Sequence, residues 1–264
     1  MALEQPKFNH FLYEERGPVA VFTANRPEVM NAINHACQED LVKFALWLEE
    51  AEHLRCAVIT GAGDKAFVAG ADINNLRSGT GLTSYKNGNM RRAFSALESC
   101  SKPVICAVNG WAMGGGFELA LACDVRIASE NARFGFPETD LGVLPGEGGT
   151  QRLARFVGLG VAKDVILAGR VLTAQEAYNY GLVMQVVPRE ELLDAALKIA
   201  GRMLKKGPLA LEISKKLLNA SRSTDMDSGV FMESLGLAVL MGTRDKQEGA
   251  SAFLEKRTPE FTGE

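Results

Sequence analysis

Residues 103–153 read PVICAVNGWAMGGGFELALACDVRIASENARFGFPETDLGVLPGEGGTQRL, and the fold is decided in this stretch. Val104-Ile105-Cys106-Ala107-Val108 is a short apolar run between Pro103 and Asn109-Gly110, which predicts a buried strand. Gly114-Gly115-Gly116 then opens an apolar helix through Leu119-Ala120-Leu121-Ala122, with Glu118 in its first turn. A second carboxylate, Glu138, follows Pro137 and precedes another glycine-rich loop. The first N–H groups of a helix have no intrahelical acceptor, and the macrodipole adds partial positive charge there. Three positions without Cβ let a ligand approach that backbone. A bare Gly-Gly-Gly is equally a tight turn with an acid complementing the dipole. N–H donors beside two carboxylates, however, are the equipment for stabilising charge on a carbonyl oxygen and moving protons at neighbouring carbons.

Working outward, 264 residues allow one large domain or a domain with an appendage. With 47% hydrophobic and 23% charged residues a sizeable core is available, which argues against disorder. A net charge of −3 argues against a nucleic-acid partner. The five cysteines, at 37, 56, 100, 106 and 123, form no C-x-x-C pair, and Cys106 and Cys123 sit in apolar runs. Reduced thiols and a cytoplasmic location are therefore expected. Met1-Ala2-Leu3-Glu4-Gln5-Pro6 lacks a signal-peptide apolar region, and no apolar run approaches the roughly 20 residues of a membrane span. His10, His35 and His53 are far apart, so no metal site is expected.

Phe11–Glu15 and Val19–Thr23 flank Arg16-Gly17-Pro18 as a hairpin, and a helix is predicted over about Asn34–Ala51. Cys56–Thr60 reads as a buried strand, the polar stretch 74–89 as a mobile loop, and Met90–Ser99 as a helix. Thr173-Ala174-Gln175-Glu176 is a capping-box pattern whose helix ends at Gly181, and Leu182–Val187 reads as a last strand. Beyond Glu190 the pattern is helical only: Leu192–Lys205, Leu209–Ser221, Met226–Met241 and Lys246–Lys256. Residues 229–241 are nearly all apolar, and a helix apolar all round must be buried, in its own subunit or against a neighbour.

Four segments together resemble the crotonase family, the enoyl-CoA hydratases and isomerases. They are Asn25-Arg26-Pro27 with Asn31-Ala32, Ala69-Gly70-Ala71-Asp72-Ile73, Ala107 to Leu119, and Phe134 to Leu153. They stand in the family's order and spacing, and Ser251 to Arg257 extends the likeness to the C-terminal region. The resemblance implies an α/β fold, a spiral of ββα repeats followed by a helical trimerisation region, and the composition shift near residues 190–200 sets the expected bounds at 1–195 and 196–264. It also implies an acyl-CoA substrate, with coenzyme A entering as part of the substrate and no separate cofactor. A homo-oligomer, a trimer or dimer of trimers, is expected, with no membrane or nucleic-acid partner.

Carried over residue by residue, the N–H groups of Ala71 and Gly115 become an oxyanion hole, and Glu118 and Glu138 the catalytic pair. Arg26, Val29, Ala69, Asp72, Ile73, Asn74, Trp111, Gly114, Phe136, Pro137 and Gly146 become substrate-binding candidates. Phe253 and Lys256 fall where some relatives touch the adenine end of CoA across a subunit interface. On residue chemistry, Glu118 in a first helical turn is biased toward ionised and suits the base that activates water. Glu138, among apolar neighbours and near a second carboxylate, suits the acid that protonates C2.

Two positions depart from the usual hydratase pattern. Phe136 stands where glutamine is common, and Glu147 where a small or apolar residue is usual. Glu147 is read as a solvated loop acid in preference to a third active-site carboxylate. The acyl pocket is expected to be walled by 75–89 and by residues near Trp111 and Met113. Three functions compete: a 2-enoyl-CoA hydratase, another crotonase-fold enzyme such as an isomerase or a hydratase of cyclic, aromatic-pathway or carnitine-type acyl-CoA, and a non-catalytic or RNA-binding role. The helix LVKFALWLEEAEHLR sets Glu49, Glu50, Glu52 and the preceding Asp40 against Lys43 and Arg55, which is no basic comb.

Overall fold

Strand β1 (Phe11–Arg16) pairs antiparallel with β2 (Val19–Ala24), and helix α1 (His35–Glu50) follows, capped by the Asn34 side chain on the Cys37 N–H. These come from a computed structural model that describes residues 5–78, 80–81 and 89–264. From here the chain repeats one move. A strand enters a six-stranded sheet, the next strand enters a four-stranded sheet, and a helix packs back. Thus β3 (Cys56–Gly61) and β4 (Ala66–Val68) lead to α2 (Ile73–Ser78) and α3 (Asn89–Ser99). Next β5 (Val104–Val108) and β6 (Trp111–Met113) lead to α4 (Gly115–Ala122), and β7 (Val125–Ser129) and β8 (Arg133–Gly135) lead to α5 (Gly149–Leu167), kinked at Gly158. The sheet orders are β1-β2-β3-β5-β7-β10 and β4-β6-β8-β9, where β9 is Leu172–Thr173 and β10 is Val186–Val187. Apart from the β1–β2 and β8–β9 pairs, neighbours run parallel, which is the expected spiral of ββα units.

A parallel sheet covered on both faces needs strands apolar on both sides. On one face Ala20, Phe22, Ala57 and Ile59 join the main core, where Phe11, Phe22 and Phe44 stack with ring centroids 4.2 and 4.0 Å apart. On the other face Val19, Val21, Val58, Ile105 and Ile127 meet Leu192, Ala196, Ile199 and Ala200 of α7 (Leu192–Met203). The division drawn at 195/196 thus falls inside a helix that covers the sheet. Helices α8 (Pro208–Ala220), α9 (Met226–Met241) and α10 (Arg244–Glu255) follow.

Two expectations change. Of Leu182–Val187 only Val186 and Val187 are strand. Leu182 N–H turns back to the Ala177 carbonyl after α6 (Ala174–Asn179), and Met184 N–H goes to the Arg126 carbonyl. The stretch 74–89, expected as a loop, continues α2 to Ser78 and enters α3 at Asn89; its residues 79 and 82–88 lie outside the described residues. The Thr173–Glu176 capping box is present as read.

Candidate active site

The deciding stretch delivers α4 end-on to a cleft. Strand β6 stops at Met113, Gly114 turns the chain at φ 52°, and α4 begins at Gly115. A Cβ at Gly116 would lie 2.0 Å from the Val68 carbonyl oxygen, so only glycine lets α4 back this closely onto β4. At its far end the buried Arg126 guanidinium donates to the Cys123 carbonyl at 2.6 Å and the Ala120 carbonyl at 3.4 Å, satisfying carbonyls of the helix end, and ties that end to the Leu182 carbonyl at 2.9 Å.

Across from α4, Ala71 makes a lone parallel bridge with Ile33. The bridge uses Ile33 N–H to Gly70 O (2.8 Å) and Asp72 N–H to Ile33 O (2.9 Å), leaving the Ala71 N–H outside the pairing. A Cβ built on Gly115, whose N–H opens the helix, lies 3.8 Å from the Ala71 nitrogen. The two backbone segments therefore stand side by side, and a carbonyl oxygen between them can accept from both N–H groups.

Two glutamates face the same cleft, whose volume is about 720 Å³. Glu118 is 2% exposed, and its Oε1 accepts the N–H of Glu147 at 2.7 Å and of Gly149 at 2.8 Å. Burial pushes its carboxyl up to about 7. The two N–H donors pull the other way, while the nearby Glu138 and Glu147 add to the rise. The expectation that the helix dipole leaves Glu118 ionised is thus corrected: desolvation outweighs it, and Glu118 titrates near neutrality. Glu138 opens a short 3-10 turn (Glu138–Leu141), and burial raises its carboxyl as well. Its Oε1 lies 2.8 Å from where a Gly114 Cβ would stand, and its buried Oε2 has no hydrogen-bond partner among the described residues. The arrangement can hold an oxyanion on two N–H groups and carry protons on two carboxyls whose environments favour the neutral form.

Of the remaining residues singled out from sequence, Ala69, Ile73, Gly114, Pro137 and Gly146 line this cleft with Ala71 and Gly115. Others do not. Arg26 donates to the Ala32 carbonyl at 2.6 Å and sits 3.7 Å from Asp72, whose carboxylate also receives the Asn74 N–H at 3.0 Å; these three brace the loop around α2. Val29 and Trp111 are surface residues outside the lining, and Phe253 and Lys256 stand exposed at the end of α10. Phe136, expected to form an apolar wall, is buried, with its ring 4.7 Å from that of Phe117 beneath the glycine turn at Gly149. Residues 79 and 82–88 of the expected acyl wall lie outside the described residues.

Sequence reasoning missed Met90, Leu141, Val143 and Leu144, which supply apolar wall, and it misread Glu147. That side chain is no solvated loop acid. It lines the cleft, its Oε2 is buried without a partner among the described residues, and burial pushes its carboxyl up against the pull of Arg91 and Arg152. The Pro145-Gly146-Glu147-Gly148-Gly149 run carried the signal, since its N–H groups are what Glu118 binds.

Two closely approaching backbone segments beside one buried and one half-buried carboxyl, set on a two-sheet spiral, form a cleft suited to polarising a carbonyl compound and transferring protons beside it. Residues 14–264 match the enoyl-CoA hydratase/isomerase family, and the chain belongs to it. It is 43% identical over 255 residues to a crotonyl-CoA hydratase of Syntrophomonas wolfei, spanning 96% of this chain and 98% of that protein. It is 42% identical over 245 residues to a 2,3-dehydroadipyl-CoA hydratase of Escherichia coli, spanning 93% and 95%. The crystal structure of an enoyl-CoA hydratase from Bacillus anthracis matches with a TM-score of 0.93 at 38% identity, covering 97% of this chain and all of that one.

Proposed function

We propose that this protein hydrates 2-trans-enoyl-CoA thioesters to 3-hydroxyacyl-CoA. The observation that carries the reading is the meeting of Ala71, Gly115, Glu118 and Glu138 in one cleft. The thioester oxygen sits between the Ala71 and Gly115 N–H groups. Glu118, ionised above about pH 7, takes a proton from water as its oxygen bonds to C3. The C2–C3 π electrons move toward the thioester oxygen, and the two donors stabilise that charge, each worth roughly 3–4 kcal/mol. Glu138, whose carboxyl is raised by burial, then protonates C2, and the proton on Glu118 returns to Glu138 through the next water. Addition of water is redox-neutral and needs no cofactor beyond the CoA that the substrate carries.

The relatives at similar identity are named for crotonyl and dehydroadipyl thioesters, so identity does not choose the acyl chain. The walls of Ile73, Met90, Leu141, Val143 and Leu144 favour an apolar acyl group. One observation favours a second reading, an isomerase or a hydratase of another acyl class: Glu147 adds a third carboxyl to the cleft. A panel of enoyl-CoA thioesters separates the two. A hydratase removes the conjugated enoyl absorbance and adds the mass of water. An isomerase moves the double bond at constant mass, and that outcome would replace the first reading.

The working unit is a homo-oligomer, a trimer or dimer of trimers. The support is α9, which has no buried residue although it is apolar on all sides. Within such an assembly Phe253 and Lys256, away from their own cleft, serve the CoA end of a neighbour's. A cytoplasmic location is proposed because all five cysteines are free and buried. Among the described residues no helix is long and apolar enough to cross a membrane.

A further inference from the structure

The turn that holds Glu118 is itself held. Three successive peptide units are involved. The outer two donate the Glu147 and Gly149 N–H groups to Glu118 Oε1. The middle one, Glu147–Gly148, is anchored through its carbonyl, which accepts from Arg152 Nη1 at 2.8 Å. The guanidinium lies directly beneath the turn: a Cβ at Gly148, where φ is 107°, would be 2.1 Å from Arg152 Nη1.

Arg152 is fixed in turn from two other helices. Its Nε and Nη2 fork the Glu98 carboxylate on α3 at 3.1 and 3.0 Å, and the two side chains are only 11% and 19% exposed. Glu98 also pairs with Arg222, just past α8, and the Glu98 carbonyl accepts from Asn219 Nδ2 at 2.9 Å. A planar fork of this kind fixes direction as well as distance. A continuous chain therefore runs from the C-terminal helices to the buried carboxylate: Arg222, Glu98, Arg152, the Glu147 carbonyl, the paired N–H groups, Glu118. None of the first three residues lines the cleft.

We propose that Arg152, clamped by Glu98 and Arg222, is a positioning residue that fixes the 147–149 turn so that both N–H groups stay on Glu118, tying the helical C-terminal region to the catalytic base. The proposal rests on Glu118 acting as the base in the hydration proposed above. Anchoring the middle peptide matters because both outer donors rotate if it is released. Glu118 then loses aim toward the attacking water and loses the bonds that favour its ionised form. The charged groups involved are few. Glu138 and Glu147 face Glu118. Around Arg152, the neighbouring cavity is lined by Glu98, Arg222, Arg155, Lys215 and Asp124.

The test compares Arg152→Gln, Glu98→Gln and Arg222→Gln with the parent enzyme and with Glu118→Gln. It uses a 2-enoyl-CoA that the parent hydrates, following kcat, KM and the pH dependence of kcat. Arg152→Gln and Glu98→Gln are expected to lose up to roughly 10²-fold in kcat with KM nearly unchanged, the scale of a small misplacement of a catalytic group. Their acid limb should move to higher pH, because the lost donors were lowering the Glu118 pKa. Arg222→Gln, which leaves the Arg152 fork in place, should shift in the same direction by less, and Arg222→Lys should restore the parent profile. A folded Arg152→Gln enzyme with an unmoved acid limb overturns the proposal, whether or not kcat falls, since a merely structural role lowers the active fraction without moving the limb. If Arg152→Gln does not fold, an unmoved limb in Arg222→Gln overturns it equally. Full activity in Glu118→Gln would instead remove the base assignment underneath.

Discussion

At the scale of single residues, Glu118 and Glu138 occupy one cleft but differ in what holds them. Glu118 accepts two backbone N–H groups, while the Glu138 Oε2 accepts none among the described residues. Glu118→Gln and Glu138→Gln keep volume and remove proton transfer. Each is expected to lower the hydration rate by roughly 10²–10⁴-fold, and the double variant should lose little more because the two groups act as a unit in one addition. Exchange of the C2 proton of a saturated acyl-CoA with solvent separates them. It needs a carboxylate beside C2 but no water at C3, so it should fail in Glu138→Gln and survive better in Glu118→Gln. Dependence on Glu138 alone in both assays would point to an isomerase. The same burial predicts a stability effect. With its carboxyl raised from 4.5 to about 7 in the folded chain, Glu118 favours folding only while protonated. As pH climbs from about 4.5 through about 7, the unfolded chain releases this proton first and stability falls. Glu118→Gln lacks that penalty. At pH 8 it should be more stable than the parent by on the order of 2–3 kcal/mol, less the cost of an unpaired amide, and equal to it below pH 4.5. Denaturant titrations at the two pH values check this, and an advantage at low pH only would refute the desolvated carboxylate.

At the scale of elements, α4 is held at both ends: its first residues line the cleft and Arg126 donates to the carbonyls of its last turn. Gly115→Pro tests the front. Proline is tolerated at the first helical position, where the N–H makes no intrahelical bond, so the fold should persist while one oxyanion donor is lost. A fall of roughly 10²–10³-fold in kcat is expected, with circular dichroism unchanged. Near-normal turnover would show that the Gly115 N–H is not the donor. Such elements were legible because local rules dictate them. The uninterrupted apolar run Val104–Val108 is what a strand buried on both faces requires, and the Thr173–Glu176 box states its own helix start. Elements defined by pairing were not. Leu182–Val187 has strand composition, yet the Arg126 carbonyl and the Ala177 turn claim its first half. Phe136 and Glu147 failed for a related reason. Which way a side chain points from a loop depends on neighbours distant in sequence: the Phe117 ring against Phe136, and the Arg152 anchor beneath Glu147.

At the scale of the whole molecule, α9 is the feature that one chain leaves unexplained. It runs 16 residues, about 24 Å, and none is buried. Met226 is 80% exposed, Phe231 63% and Val239 62%. Its intrachain seat is narrow: it packs on α8 around Gly236, where a Cβ would lie 2.8 Å from Ile213 Cγ2, while the rest of its surface faces outward. Covering a Leu, Val, Phe or Met side chain is worth roughly 1.5–3 kcal/mol, and contiguous apolar patches of this kind mark protein–protein surfaces. Opposed charge cannot account for it, because α9 carries only Asp227 and Glu233. Burial by copies of the same chain is the economical solution, and the threefold state is the one expected. At micromolar concentration, sedimentation should give a particle three or six times the 28.5 kDa chain mass. Phe231→Asp and Leu235→Asp each place a charge where a neighbour's apolar surface would close, and should release smaller species. If Phe253 and Lys256 reach a neighbour's CoA, those species should also bind acyl-CoA more weakly although Glu118, Glu138, Ala71 and Gly115 all come from one chain. A stable monomer of the intact chain with full affinity would rule out both the interface and the shared CoA site. A trimer whose Phe231→Asp variant stays trimeric would move the interface off α9.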